Sequence, residues 1–188
     1  MFIQTESTPN PATLKFLPGR SVLAEGAADF PTRESAQKSP LARRLFDIDG
    51  VGGVMFGPDF ITVTRASGDW VQLKPMILGA IMEHFTQGLP VIEGEAVPAA
   101  AREEYDPADE EIVVQIKELL ETRVRPAVAQ DGGDIVFRGF EAKSGTVFLN
   151  MRGSCAGCPS STATLKNGIE NMLRHYIPEV NAVEAVSA

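Results

Sequence analysis

Only two of the 188 residues are cysteine and only two are histidine. So few thiols exclude a small secreted scaffold stapled by disulfides. Long apolar runs are also missing, and nothing approaches the roughly 20 residues that span a bilayer. The opening Met1-Phe2-Ile3-Gln4-Thr5-Glu6 has neither the basic and apolar regions of a secretory signal nor the arginine-rich, acid-poor character of a transit peptide. No membrane contact is therefore expected, and cytoplasm is the default compartment. Excess positive charge is absent too: the formal net charge is −8, which argues against general nucleic-acid binding. What is present in ordinary measure is hydrophobic content, 44%, enough for a packed core.

The negative charge is unevenly spread. Residues 89–111 carry one basic and eight acidic side chains, whereas residues 112–188 carry eight of each. The acidic stretch also holds Pro90, Pro98 and Pro107, so it repels itself and has little to bury. It reads as a flexible linker over residues 89–108, between domains at 1–88 and 109–188. Each domain is expected to be a short sheet packed with helices, an α/β (α+β) arrangement.

In the first domain, residues 2–5 and 13–17 read as strands around the rigid turn Thr8-Pro9-Asn10-Pro11. Residues 18–38 read as a loop with a short strand near 21–24. Ser39-Pro40 is a cap followed by a first-turn proline, and Leu41, Leu45 and Ile48 share a helix face. Residues 51–56 and 60–65 form a hairpin through Gly57-Pro58-Asp59, and a second helix carries Leu73, Ile77, Ile81 and Phe85. No nucleophile–base pair, phosphate loop or ligand cluster stands out. His84 reads as a helix-surface residue, Trp70 as packing, and Arg43-Arg44 as a solvated pair.

In the second domain, Asp109 is expected to cap a helix with the stripe Val113, Ile116, Leu120 and Val124, kinked or ended by Pro126. Asp131-Gly132-Gly133-Asp134 is a sharp turn whose glycines permit positive φ. A hairpin of residues 135–140 and 146–151 leads into Gly153-Ser154-Cys155-Ala156-Gly157-Cys158-Pro159. Next comes a helix with Leu165, Ile169, Met172 and Tyr176 on one face, and residues 180–186 suit a last strand.

Cys155 and Cys158 thus sit on a strand-to-helix turn, where a helix dipole favours thiolate. The residues allow three readings. As a dithiol, Cys155 would attack and Cys158 resolve, although a helix and a hairpin precede the motif where a thioredoxin-like unit would place alternating strands. As a metal site, two thiols supply half of a tetrahedral set, so two chains would have to meet. The third reading is a pair of structural cysteines. Met151 and Met172 fit apolar stripes better than soft-ligand roles. His175, alone on its helix, does not complete a zinc site.

The motifs of the second domain, from Asp131-Gly132-Gly133-Asp134 through the cysteine loop to Leu165-Lys166-Asn167-Gly168-Ile169-Glu170, resemble the NifU C-terminal, or Nfu, family. The first domain resembles the N-terminal domain found in two-domain members. The resemblance implies an iron–sulfur cluster carrier rather than an enzyme, with Cys155 and Cys158 ligating a cluster, [4Fe-4S] by preference, shared between two protomers. It further implies receipt of the cluster from an upstream assembly scaffold, delivery to apo-proteins, and a homodimer when loaded. The family setting is a bacterial cytoplasm or, for a processed form, the mitochondrial matrix. A thiol-disulfide oxidoreductase is the alternative, and a zinc-bridged dimer a third.

Overall fold

The computed structural model describes residues 1–94, 103–156 and 159–186. It divides into one unit of Met1–Pro98 and another of Ala99–Ala188. The middle of the expected linker, residues 95–102, lies outside the described residues, as do Gly157 and Cys158.

The first unit is a five-stranded antiparallel sheet built from β1 (Gln4–Ser7), β2 (Thr13–Leu17), β3 (Ala28–Phe30), β4 (Val51–Phe56) and β5 (Ile61–Arg65), in the order β1-β2-β5-β4-β3. Helices α1 (Pro40–Phe46) and α2 (Trp70–Thr86) supply Leu41, Leu45, Leu73, Ile77 and Ile81 to a core shared with Phe16, Phe56, Ile61 and Val63. The start of α1 is fixed as its sequence predicts: Ser39 Oγ accepts from the Ala42 N–H at 3.0 Å, and Pro40 needs no N–H partner. Trp70 packs against the core and donates its indole N–H to the Pro11 carbonyl at 3.0 Å.

Two expectations shift here. No strand forms at 21–24, because the Val22 and Leu23 amides both turn to the Pro58 carbonyl, at 2.8 and 3.3 Å; the edge strand is β3, farther on. His84 is not on the surface but fully buried, and neither ring nitrogen makes a well-formed hydrogen bond.

In the second unit, α3 (Glu110–Leu119) is preceded by a 3-10 turn, Pro107–Asp109, capped by Asp106, whose carboxylate accepts from the Ala108 N–H at 3.0 Å; Asp109 holds the N-cap position of α3, as expected, but its side chain makes no cap bond. Pro126 does not end the helical run. A π-helical turn, Leu120–Val124, closed by the Arg125 N–H on the Leu120 carbonyl, carries the chain into α4 (Arg125–Gln130), where Pro126 sits in the first turn. The wider turn absorbs the proline, and Val128 extends the buried stripe of Val113, Ile116, Leu120 and Val124.

Strands β6 (Gly133–Glu141) and β7 (Thr146–Gly153) pair antiparallel, with a bulge between Phe137 and Gly139. Helix α5 (Pro159–Tyr176) then crosses over to β8 (Ala182–Ala185), parallel to β7, so the order is β6-β7-β8. Ile169, Leu173 and Ile177 are the buried line leading out of α5; Tyr176, expected inside, is exposed beneath the Arg123 guanidinium at 5.1 Å. Among the described residues, no helix is long and apolar enough to cross a membrane.

The buried imidazole makes the first unit pH-sensitive. Burial and the nearby Arg44 charge lower the His84 pKa, partly opposed by the Leu89 and Pro90 backbone. The folded state therefore binds its proton more weakly than the unfolded chain does. Stability is fully present above the unfolded value of about 6.5 and declines as pH falls towards the folded value. The unfolding midpoint read by Trp70 fluorescence should drop between about pH 7.5 and pH 5.5. His84→Leu should flatten that slope, and a flat wild-type profile would contradict a neutral buried ring.

Candidate functional site

The β6–β7 hairpin brings its open end together by pairing Gly133 with Gly153 and Asp134 with Arg152. Two loops meet there: the turn Asp131-Gly132-Gly133-Asp134 leading into β6, and the cysteine loop leaving β7. They are joined by hydrogen bonds. The Ser154 hydroxyl donates to the Asp131 carbonyl at 2.6 Å, and the Ser154 N–H to the Gly132 carbonyl at 3.2 Å. Within the cysteine loop, the Cys155 amide reaches the Arg152 carbonyl at 3.3 Å and the Ala156 amide the Gly153 carbonyl at 3.1 Å. From the first turn of α5, the Thr162 hydroxyl donates to the Cys155 carbonyl at 3.1 Å.

The two glycines of the upstream turn differ in purpose. Gly132 has φ of 77° and needs glycine for its backbone conformation. Gly133 has no positive φ; it is needed because of what lies opposite. A Cβ placed there would fall 2.2 Å from Cys155 Sγ and 3.2 Å from the Cys155 amide nitrogen. The sulfur therefore rests on the glycine backbone, and Cys155, only 7% exposed, belongs to the hydrophobic core.

That burial reverses an expectation. Instead of a dipole-activated thiolate on the surface, the Cys155 thiol has its pKa pushed up to about 11 by burial first, with the Asp131 and Asp134 charges adding to the rise and the Ser154 hydrogen bond opposing it. Loss of hydration is the largest cause.

Asp134 is anchored from behind. Arg125, at the start of α4, grips it with Nε at 2.9 Å and Nη2 at 3.3 Å, and reaches Glu121 at 2.7 Å. Burial works to lower the Arg125 pKa, but the bonds to Asp134 and Glu121 outweigh it and hold the guanidinium charged. This ion pair had no signal in the sequence beyond an arginine nine positions before an aspartate.

The second thiol, Cys158, lies outside the described residues. His175 is exposed near the far end of α5 from Pro159, about 24 Å along the helix axis. It is not brought to the cysteine loop; His84 belongs to the other unit. Met151 and Met172 pack against the core. Among the described residues, no three His, Cys, Asp or Glu side chains gather as a metal cage.

Two family models cover most of the chain: "Scaffold protein Nfu/NifU N terminal" over residues 3–88 and "NifU-like domain" over residues 116–184. A human relative, "NFU1 iron-sulfur cluster scaffold homolog, mitochondrial", is 55% identical across 99% of this chain and 72% of its own length. An Arabidopsis thaliana relative, "NifU-like protein 4, mitochondrial", is 53% identical across 98% of this chain and 65% of its own length.

The contact between Gly133 and the sulfur can be tested directly. Gly133→Ala must displace Cys155, costing about 1–3 kcal/mol of stability in the second unit. It should also speed alkylation of Cys155 in the folded protein, followed by mass spectrometry at about pH 8. A folded variant whose Cys155 reacts no faster than wild type would mean that something other than this packing shields the thiol.

Proposed function

This chain belongs to the Nfu family, and on that premise we propose that it carries an iron–sulfur cluster on Cys155 and Cys158, receiving it from an upstream assembly scaffold and releasing it to apo-proteins. The observation that carries the reading is a cysteine loop, backed by a glycine turn, in a chain 55% identical over nearly its whole length to a protein named as a cluster scaffold. We take the cargo to be a [4Fe-4S] cluster, as the family resemblance implies; such a cluster is held by four thiolates and each chain offers two. Two protomers then share one cluster, as a homodimer that exists while the cargo is held. Ligands borrowed from two separate loops are easily parted, which suits delivery and requires no catalytic turnover. The mitochondrial names of the relatives favour the mitochondrial matrix over a bacterial cytoplasm.

Cys155 has two tasks in this scheme. Its sulfur must leave the Gly133 backbone to face the cargo, and its proton must depart as iron coordinates, since a coordinating thiol is deprotonated outright. The loop hydrogen bonds through Ser154 and Thr162 hold its ends while the side chain turns. Disulfide exchange has no such compensation: a buried thiol with a raised pKa is a poor attacking group.

Anaerobic reconstitution tests the proposal, with iron and sulfide measured per chain alongside native mass. A dimer with about two irons per chain is expected. Cys155→Ser and Cys158→Ser should each lose both the iron and the dimer, and the metal-free wild type should not reduce disulfides. A monomer holding a full cluster, or a single-cysteine variant that keeps one, would refute it.

The two units should divide the work. Glu104 bridges to Gly139 and Lys117 pairs with Glu103 at 2.8 Å, so a fragment of residues 103–188 keeps these contacts and also includes the cysteine loop. It should bind cluster as the full chain does, while residues 1–94 should bind none. Iron content of the two fragments decides this.

A further inference from the structure

Alternation along β6 and β7 sends Ile135, Phe137, Val147 and Leu149 into the core, leaving Val136, Asn150 and Arg152 on the opposite face. Register sets Asn150 across from Val136, so it lies between Arg152, two residues along its own strand, and Arg138, two residues beyond Val136 at the bulge. Both arginines are half-buried. Asn150 is only 4% exposed, yet its amide nitrogen Nδ2 has no hydrogen-bond partner. A buried donor left unpaired costs free energy, and two guanidiniums on one face repel each other.

Nearby carboxylates do not relieve them. Asp134, across from Arg152, is committed to Arg125 at 2.9 Å, and Glu184, across from Phe148 on β8, pairs with Lys166 at 3.6 Å. Among the described residues, neither Arg138 nor Arg152 forms an ion pair with a side chain. Burial, and then the charge of Arg152, weaken Arg138's hold on its proton, so the two are within electrostatic reach. Five donors in a planar fork make arginine the residue suited to carboxylates and phosphates.

We propose that Arg138, Asn150 and Arg152 form a binding site for an oxoanion, a carboxylate or a phosphate. Its oxygens take up the guanidinium donors and, as the flanking side chains part, the Asn150 amide. The Arg152 carbonyl accepts from the Cys155 N–H, so the strand that carries the site leads directly into the cysteine loop. The site does not depend on the cluster-carrier reading and can be tested on the metal-free protein.

The full chain, labelled with nitrogen-15, would be titrated with inorganic phosphate and separately with acetate, at ionic strength held constant with sodium chloride. Saturable shifts are expected at the Asn150 side-chain amide and the backbone amides of Arg138 and Arg152. Arg138→Gln, Arg152→Gln and Asn150→Leu should each weaken binding about tenfold or more. Tighter binding of phosphate would point to a small phosphorylated ligand. Acetate binding as tightly or more so would point to an acidic side chain on a docking protein. Shifts that never saturate, that chloride reproduces, or that persist in a folded Arg152→Gln protein would reduce the effect to charge screening and overturn the site.

Discussion

The contact between the Cys155 sulfur and the Gly133 backbone sets how residues 153–156 of the cysteine loop lie on the glycine turn, because there is no room between sulfur and backbone for even one carbon atom. Everything around it keeps that contact in place. The β6–β7 register lines up Gly133 with Gly153, the Ser154 hydroxyl ties the two loops, and Arg125 holds Asp134 so that the glycine turn cannot drift. A ligand for a transferable cargo needs both shelter when empty and freedom when loaded. A sulfur lying on a flat glycine surface has both, since leaving it breaks mainly dispersion contacts, together with the Ser154 hydrogen bond.

Much of this was legible in the chain. Ser39-Pro40 announced α1, and the glycine-proline turn announced the β4–β5 hairpin. The change from a two-residue to a helical period marked the junction of β7 and α5, where the cysteines sit. These signals are local: a cap, a turn or a period is contained within a few residues.

What escaped is non-local. The thiol of Cys155 was expected to be exposed and activated, yet it is buried because a residue 22 positions earlier has no side chain, and an absent atom leaves no mark near the cysteine. The side-chain cap comes from Asp106, not from Asp109 at the N-cap position of α3, because the 3-10 turn starts earlier than the charge pattern suggests. His84 falls beside its helix's apolar stripe, and the chain returning to it at Leu89 and Pro90 is not signalled near the histidine in sequence. In the acidic stretch, composition gave no sign that its ends are attached. Val91 and Glu93 are fastened to Ser39 and Lys38, and Glu104 to β6.

The π turn at Leu120–Val124 has an evolutionary consequence. Such a turn is an α-helix with one residue too many, accommodated without disturbing α4 downstream of it. Removing a single residue there would restore an ordinary helix and still deliver Arg125 to Asp134. The same deletion in α3 or α4 would rotate every later side chain by about 100° and dismantle the ion pair. Length variation in this lineage should therefore be tolerated at Leu120–Val124 and purged on either side, making this one turn the place where the helical run can gain or shed a residue while the cysteine loop stays as it is.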